Sequence, residues 1–95
     1  MIVGCCRIRF SIPYAESLKD KRSAVSRIKN RTRSKFNVSI AETGDLDLWR
    51  SAELGVAVVG NETGFVNSAV DHVLNFIDGL NLAEITDSSI EILHL

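Results

Sequence analysis

Apolar residues in this chain recur at every second position, then at every third or fourth, then twice more at every second, once again at every third or fourth, and finally at every second. That succession restricts the fold severely, because period two marks a half-buried strand and a period near 3.6 marks an amphipathic helix. Ile2, Cys6, Ile8, Phe10 and Ile12 alternate with Val3, Cys5, Arg7, Arg9 and Ser11, so Ile2 to Ile12 reads as a first strand. Pro13 cannot donate to a ladder and ends it, and Ser17-Leu18-Lys19-Asp20 supplies a capping box for a helix running from Leu18 to about Lys35. Leu18, Val25, Ile28, Thr32 and Phe36 share an arc of about 80° on that helix, a stripe suited to docking on a sheet. Lys21 falls inside the stripe. The commoner outcome for such a lysine is to snorkel outward at the helix end; the other is a buried carboxylate, for which Glu42 and Asp71 are candidates.

Phe36, Val38 and Ile40 alternate with polar or small neighbours as a second strand, and Glu42 to Arg50 reads as a connection. Leu54 to Val59 is nearly all apolar, the pattern of a central strand. Val66, Ala69, Val70, Val73, Phe76, Ile77 and Leu80 mark a second helix capped by Gly79. Ile85 and then Ile90 to Leu95 give a last strand, interrupted near Asp87-Ser88-Ser89. The order β-α-β-β-α-β, with each helix amphipathic on one side, predicts an α+β, ferredoxin-like sandwich: an antiparallel four-stranded sheet in the order 4-1-3-2 with both helices on one face. A chain of 95 residues has apolar surface for one core, so residues 1–95 are expected to form a single domain. The uncovered sheet face must meet solvent, a ligand or another subunit.

Charge is distributed very unevenly. Eight of the eleven Lys and Arg residues lie between Lys19 and Lys35 beside one acid, Asp20, so this segment carries +7 and the rest of the chain −8, for a net charge of −1. Lys19, Arg22, Lys29 and Arg33 form one ridge beside the apolar stripe, about 21 Å long, while Arg27, Arg31 and Lys35 project from the outer and opposite sides. These cations repel one another with no Glu at helical spacing to relieve them, at about a few tenths of a kcal/mol per pair. A polyanion removes that cost, and a field of this sign attracts phosphate.

Other chemistries find less support. Cys5 and Cys6 point to opposite sides of a strand and read as small apolar filling rather than metal ligands, and His72 and His94 have no spacing for a zinc set or a nucleophile pair. No catalytic residue, cofactor or metal is therefore expected, and the chain does not read as an enzyme. Acylphosphatases share the expected topology, but Pro13-Tyr14-Ala15-Glu16 stands where they carry a Gly-rich anion-binding loop. Neither a signal peptide nor a membrane span is apparent, and adjacent cysteines are a poor disulfide pair, so a cytoplasmic location is expected. Trp49, in an acidic connection, is expected to pack as a lid on the end of the sheet.

Ser17-Leu18-Lys19-Asp20-Lys21-Arg22-Ser23, then Phe36-Asn37-Val38-Ser39-Ile40-Ala41-Glu42, Asp47-Leu48-Trp49 and Leu54-Gly55-Val56-Ala57-Val58-Val59, resemble the YlxP-like bacterial family over nearly the whole chain. The resemblance implies a ferredoxin-like fold in a domain of unknown function, whose genes tend to lie beside genes for translation initiation and small-subunit maturation. The chain departs from the family pattern at Cys5-Cys6 and at Thr43-Gly44-Asp45-Leu46, and no residue roles carry over. Taken with the charge, this neighbourhood favours structured RNA or the ribosome as partner, with Lys19, Arg22, Lys29 and Arg33 on phosphates and Arg27, Arg31 and Lys35 adding field. The central strands bring no outward aromatic for base stacking, which leaves recognition of backbone and shape. The alternative is a homodimer through the open sheet face, using Val3, Arg7, Arg9, Ala57 and Val59. On that face Arg7 and Arg9 could also hold an anionic ligand.

Overall fold

The structure, a computed structural model, describes residues 1–95. Its elements are β1 (Ile2–Ser11), α1 (Leu18–Lys35), β2 (Ser39–Gly44), β3 (Ser51–Gly60), α2 (Thr63–Gly79) and β4 (Glu84–His94). The strands form one antiparallel sheet in the order β2-β3-β1-β4, which is the expected 4-1-3-2 order read from the other edge. Cys6, Ile8, Phe10 and Ile12 of the β1 segment, Ile40 of β2, and Ala52, Leu54, Val56 and Val58 of β3 are buried in one cluster with Ala24, Val25 and Ile28 of α1 and Val66, Val70, Val73 and Ile77 of α2. Both helices therefore cover the same face, and the residues alternating with these strand positions form the open face.

Local chemistry explains the helix ends. Ser17 is extended (φ −162°, ψ 166°) and its Oγ accepts from the Asp20 N–H at 3.1 Å. The returning bond of the box goes to the Glu16 N–H, which donates to Asp20 Oδ2 at 3.0 Å. At the other end the Phe36 N–H donates to Thr32 O at 2.9 Å, and the Phe36 ring meets Phe76 edge-on, centroids 5.4 Å apart, tying α1 to α2. The entry of α2 packs closely on β1. A Cβ added at Gly4 would stand 2.6 Å from Val66 Cγ1, so only glycine lets the helix approach this far.

Several expected boundaries move, and β3 begins at Ser51 rather than Leu54. β2 begins at Ser39 rather than Phe36, because the ladder with β3 opens at the Ser39–Ala57 pair; Phe36 and Val38 pack on the core without belonging to it. It continues through Glu42 to Gly44, residues read as connection, with a bulge at Thr43, since Glu42 pairs with Leu54 and Gly44 with Glu53. Past α2, Asn81 rather than Gly79 takes the left-handed conformation (φ 54°), which its short amide side chain tolerates. The break expected in β4 is a bulge at Thr86: Arg9 pairs with Asp87 and Phe10 with Ile85, and the Thr86 hydroxyl donates to Arg9 O at 3.2 Å.

Candidate nucleic-acid interface

α1 buries Lys21, Ala24, Val25, Ile28 and Thr32, and Thr32 Oγ1 donates to Ile28 O at 2.7 Å, which satisfies the one hydroxyl in the stripe. Lys21 does not snorkel. It is 0% exposed, its Nζ lies 3.0 Å from Glu42 Oε2, and it donates to the backbone O of Asp45. The strand extension through Glu42 causes this, by carrying a carboxylate onto the core side of β2 directly beneath the first turn of α1; Asp71 is not the partner. Glu42 Oε2 accepts no aligned hydrogen bond, so charge proximity holds the pair.

The other cations of the segment are differently placed. The chain's three ion pairs are Arg7 with Glu53, Arg9 with Glu53 and Lys21 with Glu42, so Lys19, Arg22, Arg27, Lys29, Arg31, Arg33 and Lys35 have no carboxylate within 4.0 Å. All are exposed except Lys29, which is half-buried beside the stripe. Arg33 donates from Nη2 to Ile40 O at 2.7 Å, fastening the ridge's C-terminal end to edge strand β2. On the opposite flank Lys35 Nζ sits 5.5 Å from the centroid of Phe76. The ridge of Lys19, Arg22, Lys29 and Arg33 is thus a surface of unneutralised positive charge on the β2 side of the helix layer.

The open sheet face is more self-contained than its sequence suggests. Arg7 and Arg9 are exposed but converge on Glu53 Oε1, at 3.6 and 3.3 Å, and Thr43 Oγ1 donates to Glu53 Oε2 at 2.8 Å. Glu53 is buried at 8% exposure, and a Cβ at Gly44 would stand 2.8 Å from its Oε2, so the bulge glycine leaves room for the carboxylate. Each arginine thus has a carboxylate of its own chain within ion-pair distance, while its side chain stays 65% (Arg7) or 51% (Arg9) exposed. Period-two alternation on β3 places Glu53 on the face of Gly55 and Ala57, directly across from Arg9; that signal is in the sequence, hidden by starting the strand at Leu54, three residues after its first residue Ser51. Val59 is 62% exposed, Val3 and Ala57 are half-buried, and Asp87 and Glu91 on β4 make no ion pair.

Trp49 is not a lid. It stands 52% exposed with Leu46 at 59% and Leu48 at 52%, on a β2–β3 loop that projects past the sheet. Asp45 opens this loop in the left-handed region (φ 56°), where its Oδ2 accepts from Ser51 Oγ at 2.8 Å. Arg50 closes it by donating from Nε to Ala15 O at 2.9 Å, while its own carbonyl accepts from the Ile12 N–H at 2.9 Å. Ile12 and Ala15, both fully buried, close the sheet end in place of the indole. Burial first, and the nearby Asp71 charge second, push the Cys6 thiol above its ordinary 9.0. No group of three or more His, Cys, Asp and Glu side chains could hold a metal, and no helix is long and apolar enough to cross a membrane.

Among solved structures, the chain resembles a de novo designed protein with a ferredoxin fold (TM-score 0.56, 14% identity, covering 98% of this chain and 84% of that one). A dimeric ferredoxin-like protein of unknown function from Thermobifida fusca matches with TM-score 0.50 and 13% identity over 98% of this chain and 92% of that one. At such identities the likeness concerns the fold alone. In sequence, the uncharacterized protein YlxP of Bacillus subtilis (strain 168) is 38% identical over 77 residues, 81% of this chain and 84% of the relative. The model of the family described as "Protein of unknown function (DUF503)" matches residues 3–90, and with motif order, topology and sequence in agreement, the chain belongs to that YlxP-like family.

Proposed function

We propose that this protein binds structured RNA, laying the exposed side of α1 along the phosphate backbone, as an accessory of translation or of small-subunit maturation. One observation carries the reading: seven cations of a single helix have no carboxylate of their own chain within ion-pair distance. Three like-charge pairs one turn apart, Arg27 with Arg31, Arg31 with Lys35 and Lys29 with Arg33, stay unrelieved until a polyanion arrives. Outward positions on the central strands, Val3, Cys5, Arg7 and Arg9 against Glu53, Gly55, Ala57 and Val59, include no aromatic, and the Glu53 carboxylate among them opposes phosphate. Recognition through backbone and shape by α1 follows, in a binding protein rather than an enzyme. The ribosomal setting rests on the gene neighbourhood typical of the family.

Changing Arg22, Lys29 and Arg33 together to Gln is expected to weaken binding to ribosomal RNA fragments uniformly across sequences, because phosphate contacts carry no base information. Undiminished binding of the folded triple variant removes the proposal.

A homodimer through the open sheet face is favoured by a separate observation: exposed Val59 beside Val3 and Ala57, with Asp87 and Glu91 unpaired on β4. The Thermobifida fusca protein of similar fold is dimeric. Light scattering decides this reading: a dimer that Val59→Glu converts to monomer supports it, and a monomer at high concentration eliminates it.

A further inference from the structure

From its place in the fold, we infer that the Leu46–Trp49 loop is a stacking platform for one unpaired nucleobase at the end of the phosphate track on α1; the inference rests on the RNA reading. An indole and two leucine side chains stand about half exposed or more on one short loop, beside exposed Asp47 and Arg50, an arrangement that costs solvation unless something apolar covers the indole and the leucines. The loop is fastened rather than loose. Lys21 donates to Asp45 O from inside the first turn of α1, and Arg50 donates to Ala15 O just before that helix, so the loop sits at the helix entry where Lys19 and Arg22 open the cationic ridge.

Charge then selects among occupants. Asp47 is exposed and Asp45 is held by Ser51, so the loop itself repels phosphate, while the ridge beside it attracts phosphate. A nucleic acid resolves both demands, with its backbone on the ridge and a neutral, flat base on the loop. A rigid indole suits such a face, and stacking tolerates any base. Regular duplex keeps its bases inside, so the ligand class narrows to folded RNA with a bulged or flipped-out nucleotide beside a paired stem.

Trp49 is the chain's only tryptophan, so its emission reports on the loop alone. The probes are a hairpin RNA carrying one unpaired purine in its stem and the same hairpin fully paired, each end-labelled so that anisotropy reads binding independently of tryptophan. The bulged hairpin is expected to quench Trp49 and to bind about tenfold more weakly to Trp49→Ala, with Trp49→Phe recovering most of the loss; the paired hairpin is expected to bind both proteins equally and leave emission unchanged. Equal binding of both hairpins with no quenching overturns the stacking inference and leaves the ridge reading standing. Failure of both hairpins to bind overturns both.

Discussion

Lys21 concentrates the energetics of α1 in one side chain. Its ammonium is fully buried against a carboxylate whose side chain is 17% exposed, and breaking such a pair costs more than replacing it, because the surviving charge stays partly desolvated. Lys21→Met is expected to lower stability by about 3 kcal/mol, near the lower end for buried pairs since Glu42 can partly rehydrate. Adding Glu42→Leu should restore at least half of that, read from urea midpoints at constant slope. Losses that simply add would show the two groups to be uncoupled. Cys6 supplies a pH signature. Its thiol titrates above the ordinary 9.0 because burial penalises the thiolate, so the folded chain keeps a proton that the unfolded chain releases. The stabilisation is whole below that value and declines as pH rises toward the raised one. Cys6→Ala, which cannot titrate, should therefore be less stable than wild type at pH 7 by a margin that shrinks above pH 9 in thermal melts. A margin independent of pH would mean that the thiol's titration does not contribute.

At the scale of elements, the packing of α2 on the sheet rests on an absent side chain. Gly4→Ala would set a methyl against Val66 and Val70, and such overpacking is expected to cost about 1–3 kcal/mol. Val66→Ala in the same chain should return part of that cost, and a neutral Gly4→Ala would show that α2 moves freely on β1. The helices and central strands were legible because their periodicities are local, spelled by residues three, four or two apart. Strand ends were not. Where β2 starts depends on its register with β3, and whether Glu42 reaches Lys21 depends on the strand running two residues past it, neither of which a short window contains. The face of Glu53 follows from local alternation once the strand starts at Ser51, but its partner does not, since Arg9 lies across the ladder. The cationic ridge was legible as composition, yet its lack of partners depended on where every acid of the chain came to rest. Trp49 went the other way, since nothing local signals that a loop will project instead of folding back.

The whole molecule is a charge dipole built on a fold that needs none. One helix holds most of the positive charge with a single acid, Asp20, and the other eleven acids are dispersed over the strands, the second helix and the connecting loops. Of those acids only Glu42 and Glu53 form ion pairs, one closing the core under α1 and the other binding Arg7 and Arg9 on the open face. Self-neutralisation is thus spent away from the ridge, and the field over α1 persists. Binding through it must displace counterions, which makes salt the most direct probe. The decisive measurement is the affinity for one structured ribosomal RNA fragment across a salt series, for wild type and for the Arg22, Lys29 and Arg33 to Gln variant. Log affinity is expected to fall linearly with log salt with a slope of about −3 to −4 for wild type, and the variant's slope to be shallower by about two to three. A wild-type slope near zero, or equal slopes for the two proteins, would contradict binding through the ridge.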